Sequence, residues 1–397
     1  MTNSSKTPLN VALVGHGFMG AAHSQGWRVA PRFFDLAYEP RMEVVVGQNP
    51  DRVEVAREKF GWQRGSTDWR SVIDDPAIDV VDICTPGGSH ADIAIAALDA
   101  GKHVICEKPL ANTLAQAEVM TEAAERASTR GVRSLVGFSY RRLPAAVLAR
   151  QFIEQGRLGE IRQIRAEYRQ DWLTDENAPI TWRLDRALAG SGPLSDLGAH
   201  LVDMVHFLTQ STINAVSATS TTFVRERPLL ADRRGLGGTA SNERGEVTVE
   251  DAVWFTAKLG TTAVASFEAT RFATGRKNAF RIEVSGSRGA LYFDVENLNE
   301  LHFYDGTVAP AEQGFTRILV TEPGHPFVSA WWPAGHVLGW EHAFSHQIAD
   351  FVSAISSGEN PSPSFADGLR VQRVLAATQS SAQNNSAWVR LDSSAPA

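Results

Sequence analysis

The sequence predicts an α/β Rossmann domain, a doubly wound parallel sheet, followed by an α+β domain with a large, mainly antiparallel open sheet. Three observations predict it. A glycine-rich turn follows the first apolar run, strands and helices alternate up to about residue 136, and beyond it alternating apolar and polar strands follow one another through Gly- and Asn-containing turns. The length of 397 residues fits two domains, at roughly 100–200 residues each. We expect residues 1–138 to form a dinucleotide-binding domain and residues 139–397 a substrate-binding and oligomerisation domain, with a return of the terminal helix from about residue 365 to the first domain left open.

Taken in order, Asn10–Val14 is a short β-branched and aliphatic strand stopped by Gly15, and Ala21–Ala30 follows as a helix. Met42–Val46, Val80–Cys84 and Val104–Cys106 are the next strands. They are nearly all apolar, as burial on both faces requires. Asp51–Phe60, Ser89–Ala100 and Leu114–Ser128 are the helices between and after them, which makes the crossovers right-handed and the sheet parallel. In the second half Ile161–Tyr168, Ala252–Lys258 and Ala263–Thr270 alternate in polarity, and Leu259–Thr262 joins the last two as a hairpin. Phe280–Ser285, Ala290–Val295 and Leu301–Tyr304 extend that sheet. Arg227–Arg244, rich in Gly and Arg, reads as a mobile surface loop, and Thr321–Gly339, with His325, Trp331, Trp332 and His336, as an ordered aromatic loop. Helical patterns at Trp340–Ile355 and Phe365–Ser380 close the chain.

Composition narrows the function. The 38 basic and 45 acidic residues leave a net charge of −7 with no Lys/Arg-rich run, which argues against nucleic acid as a partner. Two cysteines, Cys84 and Cys106, exclude a disulfide framework and a four-cysteine zinc site and favour a reducing, cytoplasmic setting. The first apolar run, Leu9–Val14, is too short for a signal-peptide core, and no stretch approaches the roughly 18 apolar residues of a membrane span.

Gly15-His-Gly17-Phe18-Met19-Gly20 matches G-x-G-x-x-G between a strand and a helix. In that setting the first Gly allows the tight turn, the second lets a pyrophosphate approach the backbone, and the third lets helix and strand pack closely. The helix start then holds phosphate on its N–H groups. The acidic residue expected at the end of the second strand is missing, since Val46 is followed by Gly47, Gln48 and Asn49. Gln48 or Asn49 can hydrogen-bond the adenine ribose, which makes NAD the first choice; with no carboxylate to repel a 2′-phosphate and Arg52 nearby, NADP stays open.

Cys84-Thr85-Pro86 and Glu107-Lys108-Pro109 end successive parallel strands, and Asp196-Leu-Gly-Ala-His200 comes later. With the glycine fingerprint and the Asp171-Trp172, Thr181-Trp-Arg183 and Gly190-Ser-Gly192 pieces, this order resembles the glucose-fructose oxidoreductase, inositol dehydrogenase and rhizopine catabolism (Gfo/Idh/MocA) family over essentially the whole chain. Within it the pattern is most similar to the levoglucosan, scyllo-inositol and glycoside dehydrogenases. The resemblance implies Lys108, Asp196 and His200 as the catalytic set. Lys108 follows a parallel strand, the sheet edge where ligands bind, and its ammonium can stabilise the reacting oxygen. Pro109 stiffens that turn, with a cis bond among its options. Asp196 and His200, four apart, share a helix face, so neutral His200 can act as general base while Asp196 orients it or the substrate.

The resemblance also places Thr85, Pro86, His90, Glu107, Lys108 and Arg183 at the cofactor, with Gly87 standing where the family often has Asn. Tyr140, Arg141, Trp172, Arg183 and His336 are offered to the substrate side, since aromatic faces and guanidinium groups suit a polyhydroxylated ring. No metal is expected: Asp196, His200, Asp203 and His206 drift around a helix rather than closing a tetrahedron, and His342 and His346 lack the Glu of a zinc helix. The expected reaction is hydride transfer from a secondary hydroxyl of a sugar, anhydrosugar, cyclitol or glycoside to NAD(P), in a homo-oligomer, dimer or tetramer, formed through the second domain's sheet. Two other readings stay open: glycoside cleavage through transient ring oxidation and elimination, and a non-catalytic dinucleotide sensor.

Overall fold

The structure, a computed structural model, describes residues 6–234 and 237–391. The first elements are β1 (Thr7–Val14), α1 (Phe18–Phe33), β2 (Tyr38–Val46), α2 (Pro50–Phe60), β3 (Arg64–Ser66), α3 (Trp69–Ile73), β4 (Val80–Ile83), α4 (His90–Asp99), β5 (His103–Cys106), α5 (Leu114–Ser128) and β6 (Ser134–Val136). Then come α6 (Pro144–Glu154), β7 (Ile161–Arg169), α7 (Arg186–Ala189), α8 (Ala199–Thr209), β8 (Ile213–Thr221), β9 (Glu226–Arg234) and β10 (Gly237–Glu246). Strands β11 (Ala252–Leu259), β12 (Ala263–Thr270), β13 (Ala279–Gly286), β14 (Gly289–Asp294), β15 (Glu300–Asp305) and β16 (Phe315–Leu319) follow. Helices α9 (His342–Ser357) and α10 (Phe365–Gln383) and the short β17 (Val389–Arg390) end the chain.

The chain divides into two compact units, residues up to Ser139 with Glu341–Leu369, and Tyr140–Trp340 with the chain from Arg370 on. The first holds a parallel sheet of order β3-β2-β1-β4-β5-β6, the doubly wound arrangement. All four residues of β4 are buried, Asp82 among them, which is why the strand lacks polarity alternation. Trp27, Val45, Ile105 and Leu135 share a core with Phe351 and Val352 of α9, which therefore belongs to this unit although it follows the second sheet in sequence.

The second unit is a nine-stranded sheet of order β16-β15-β14-β13-β7-β12-β11-β8-β17. Every neighbouring pair is antiparallel except β7 with β12. Along β11 the alternation seats Phe255 against Phe267 of β12 (rings 4.3 Å apart, 4° between planes) and leaves Trp254 exposed on the other face.

Several expectations change. Arg227–Arg244 is largely the antiparallel pair β9–β10 rather than a loop, with residues 235 and 236 outside the described residues. No apolar alternation signals it; the pairing is of backbone, and Arg227 is buried with its guanidinium donating to the carbonyls of Leu173 and Asp175 (2.7 Å each). The short strands β3, β6 and β17 carry too few residues to show a period, and the polar end of β8, Thr219–Thr221, hides its strand. Asp196 does not lie on a regular α-helix: Leu194–Gly198 is a π-turn that runs into α8. The segment Glu341–Leu369, expected in the second domain, groups with the first unit.

Candidate functional site

In the first unit the three glycines do three different things. Gly15 has φ +100°, and a Cβ there would lie 2.7 Å from the Cys84 carbonyl group, so this turn excludes any side chain. At Gly20 a Cβ would sit 2.1 Å from the Gly15 carbonyl oxygen, the close packing of helix on turn. At Gly17, the N-cap of α1, a Cβ would meet nothing within 4 Å. Open space beside the first amides of a helix is what a pyrophosphate needs, so the residues present fit a dinucleotide. Phe18 is exposed beside it and Met19 half-buried.

The Asn49 side-chain oxygen accepts the Arg52 amide (2.9 Å) and caps α2, so toward a ribose this residue would offer its NH2 group. Gln48, exposed just past the end of β2, is the second polar side chain there. Thr85 Oγ1 accepts from Ser89 (2.8 Å). His90 is buried, with Nε2 facing the Thr85 carbonyl (2.8 Å) and Nδ1 facing that of Pro109 (3.1 Å), so it ties the Thr85-Pro86 turn to the Lys108-Pro109 turn. Burial lowers its pKa. At Gly87 a Cβ would lie 2.3 Å from the Asn112 carboxamide oxygen, so a side chain there requires the Asn112 side chain to move. Lys108, half-buried, precedes a cis Pro109.

Behind this turn lies a cluster that the motifs do not reveal. His23 of α1 places Nδ1 2.9 Å from both oxygens of Asp82 and Nε2 3.0 Å from Glu107 Oε1. Trp27 Nε1 donates to Asp82 (2.7 Å), and Glu107 Oε2 accepts the Lys108 amide (3.2 Å). Burial opposes protonation of His23, but the Asp82 carboxylate carries its pKa well above the ordinary imidazole value. The one available signal was Asp82 itself, a carboxylate inside an otherwise apolar strand, which must find a partner. Among the described residues His23, Asp82 and Cys84 are also the one grouping close enough to ligate a metal, although hydrogen bonds already engage the imidazole and carboxylate. Burial raises the thiol pKa of both Cys84 and Cys106, making them packing groups rather than thiolates.

In the second unit His200, at the start of α8, stacks on Tyr140 (4.7 Å, 22°) with Tyr168 edge-on at 5.9 Å. The two phenol oxygens are 2.9 Å apart, Tyr168 also donates to Asn278 (2.8 Å), and Trp340 Nε1 donates to Tyr140 (3.3 Å). Burial keeps Tyr168 protonated by raising its pKa. Asp196 accepts from Arg271 (2.8 Å), whose guanidinium lies 5.2 Å from the Trp172 ring. Glu250, from outside any motif, accepts the amides of Gly192 (2.9 Å) and Leu194 (3.1 Å) and so anchors the loop that delivers Asp196. Arg141 grips Asp203 through Nε and Nη2 (2.6–3.0 Å), a buried ion pair that makes it a scaffold residue. Trp172 is exposed and donates to Gln170 (2.9 Å); Arg183 stacks on Trp182 (4.5 Å). His336 is exposed, with Nδ1 2.8 Å from the Pro333 carbonyl oxygen. Thus the second unit gathers Tyr140, Asp196 and His200, together with Tyr168, Arg271, Gln170 and Asn278, which sequence reasoning did not single out.

The family model described as an oxidoreductase family with an NAD-binding Rossmann fold matches residues 9–135, and that of the GFO/IDH/MocA C-terminal domain matches residues 147–292. The chain belongs to the GFO/IDH/MocA family. A levoglucosan dehydrogenase of Pseudarthrobacter phenanthrenivorans is 40% identical over 386 residues, 96% of this chain and 97% of that one. Two solved structures show the same architecture. An oxidoreductase domain protein from Kribbella flavida matches at 54% identity and TM-score 0.93, covering 97% of this chain and 100% of that one. A levoglucosan dehydrogenase in complex with NADH and levoglucosan matches at 39% identity and TM-score 0.90, covering 97% and 99%. Like its relatives, this GFO/IDH/MocA protein is a dehydrogenase of the sugar and polyol class with NAD as cofactor. Among the described residues no helix is long and apolar enough to cross a membrane.

Proposed function

We propose that the protein oxidises a secondary ring hydroxyl of a sugar, anhydrosugar, cyclitol or glycoside to the ketone, with levoglucosan the first candidate substrate. The observation that carries the reading is the His200 cluster: an imidazole on a tyrosine face, four residues from a carboxylate that an almost fully buried Arg271 holds in place. The Gly17–Gly20 backbone and Gln48 would bind NAD, which when bound supplies the acceptor for the hydride leaving the carbinol carbon. His200 takes the hydroxyl proton on a ring nitrogen, and Asp196 holds the substrate hydroxyl or the imidazole in line. Lys108 donates a hydrogen bond to the same oxygen as it gains alkoxide character. Tyr140, Trp172 and Gln170 offer aromatic and amide contacts to the ring.

We place the protein in the cytoplasm, on the strength of two free cysteines, and infer a dimer or tetramer through the open face of the nine-stranded sheet, where Trp254 and Val264 are exposed; light scattering tests the latter. The test of function is a panel of levoglucosan, inositols, hexoses and glycosides followed at the NADH absorbance band with NAD and with NADP. NADH formation with a ring polyol, lost in Lys108→Ala and His200→Asn, is the expected result. Release of free aglycone without NADH would replace this reading with redox-neutral cleavage. Absence of any turnover with tight NADH binding would replace it with a sensor.

A further inference from the structure

We propose that His23 is a positioning residue: through Glu107 it couples helix α1, whose N-terminus faces the dinucleotide phosphates, to the turn that presents Lys108. The inference rests on the role given to Lys108 above. It starts from geometry. His23 lies one turn of α1 beyond Gly20, fully buried, and both of its ring nitrogens face carboxylates, Asp82 on one side and Glu107 on the other. Ionised carboxylates only accept, so the ring is a donor at both nitrogens, an imidazolium bridging two anions. Such a bridge is short and directional, and it leaves Glu107 no freedom to rotate.

Three further contacts show that the site is built around this carboxylate. Trp27, on the same helix as His23, fixes Asp82 from a second direction (2.7 Å). At Gly137 a Cβ would fall 2.6 Å from Glu107 Oε1, so the neighbouring chain is trimmed to leave the carboxylate room. Phe344 closes the far side of the imidazole at 5.4 Å. The free end of the bridge is Glu107 Oε2, which accepts the backbone amide of Lys108 (3.2 Å). Rotation of the Glu107 side chain would release that amide and with it the direction of the lysine. His23 and Asp82 are fully buried and Glu107 nearly so, and the cluster meets Lys108 at its backbone amide, which separates positioning from catalysis. A buried charged triad serves stability poorly compared with apolar packing; here it links the β4 and β5 ends and α1 at the sheet edge where ligands of this fold bind.

The test compares wild type, His23→Gln and Glu107→Ala in the full-length protein. Glu107→Ala removes both carboxylate oxygens, so neither His23 nor the Lys108 amide keeps its partner; it decides the matter if His23→Gln does not fold. Two readouts are used: kcat and the KM values with the polyol oxidised fastest, and the rate of acetylation of Lys108 by competitive labelling and mass spectrometry, with exposed Lys59 and Lys277 as internal references. We expect kcat to fall at least tenfold in both variants, with the KM for NAD within threefold in His23→Gln, and Lys108 labelling to change at least threefold while the reference lysines do not move. A folded variant with wild-type kcat and wild-type Lys108 labelling overturns the inference. Lys108→Ala measured alongside keeps the two ideas apart. If it turns over at the wild-type rate, the role of Lys108 fails, whereas the labelling shift still reports whether His23 sets its position.

Discussion

One substitution made at two glycines separates folding from dinucleotide binding. In Gly20→Ala the new methyl lies 2.1 Å from the Gly15 carbonyl oxygen and 3.0 Å from its carbon. Both atoms are backbone, and Gly15 is itself tied down by its amide, which donates to the Val46 carbonyl (2.9 Å). A helical Gly→Ala change alone would gain up to about 1 kcal/mol, but overpacking against an unyielding neighbour costs roughly 1–3 kcal/mol or more. A net loss of ~2 kcal/mol lowers Tm by ~4–8 °C. In Gly17→Ala the methyl meets no protein atom within 4 Å, and φ −72° suits any L-residue. The loss of a preferred N-cap residue costs at most about 1 kcal/mol. The same methyl, however, stands where the pyrophosphate would approach, and we expect NADH to bind about 10–100-fold more weakly, equivalent to ~1.4–2.8 kcal/mol. Thermal melts with and without NADH, together with fluorescence titration, read both effects. Gly17→Ala that binds NADH like wild type would refute the cradle, whatever Gly20→Ala does.

Gln48→Asp restores a carboxylate at the end of β2, so the NAD:NADP ratio of kcat/KM should rise at least tenfold; an unchanged ratio would show that residue 48 does not face the adenine ribose. Arg271→Met removes the guanidinium that holds Asp196 at 2.8 Å, and kcat should fall roughly 10–100-fold with NADH affinity unchanged, since the carboxylate proposed to orient the reaction loses that contact; an equal loss of NADH binding would point to a folding defect instead. The raised pKa of His23, flanked by Asp82, Cys84 and Glu107, has a definite sign. Its contribution to stability is complete below the unfolded value of about 6.5 and is lost as pH rises through the folded value. The difference in Tm between wild type and His23→Gln should therefore narrow from pH 6 to pH 9, and a constant difference would mean that the imidazole is neutral in the native state.

What the sequence discloses depends on how local the cause is. The glycine turn is legible because φ at Gly15 and the clash at Gly20 involve atoms within a few residues, or the immediately adjacent strand end. The parallel sheet is legible because burial on both faces leaves an unbroken apolar run. His23, Asp82 and Glu107 are not legible in this way: 59 residues separate the first two and 84 the first and third, and only the sheet order brings β4 and β5 beside α1. Asn49 carries a second, local duty that the glycine pattern does not announce, its side-chain oxygen capping the next helix. The hairpin β9–β10 escapes because its partners are backbone groups and its composition is polar. Yet the distant clusters have a common trace. A charge in water-excluded surroundings must be paired, and the price of leaving it unpaired far exceeds that of any surface substitution. Asp82 in an apolar strand and Asp203 in the apolar run of α8 are both such charges. Their partners, His23 and Arg141, stand directly beside Glu107 in one unit and one residue from Tyr140 in the other. Each unit thus spends its buried ionic contacts next to side chains proposed to meet substrate or cofactor, where a fixed direction matters more than the modest stability such pairs provide.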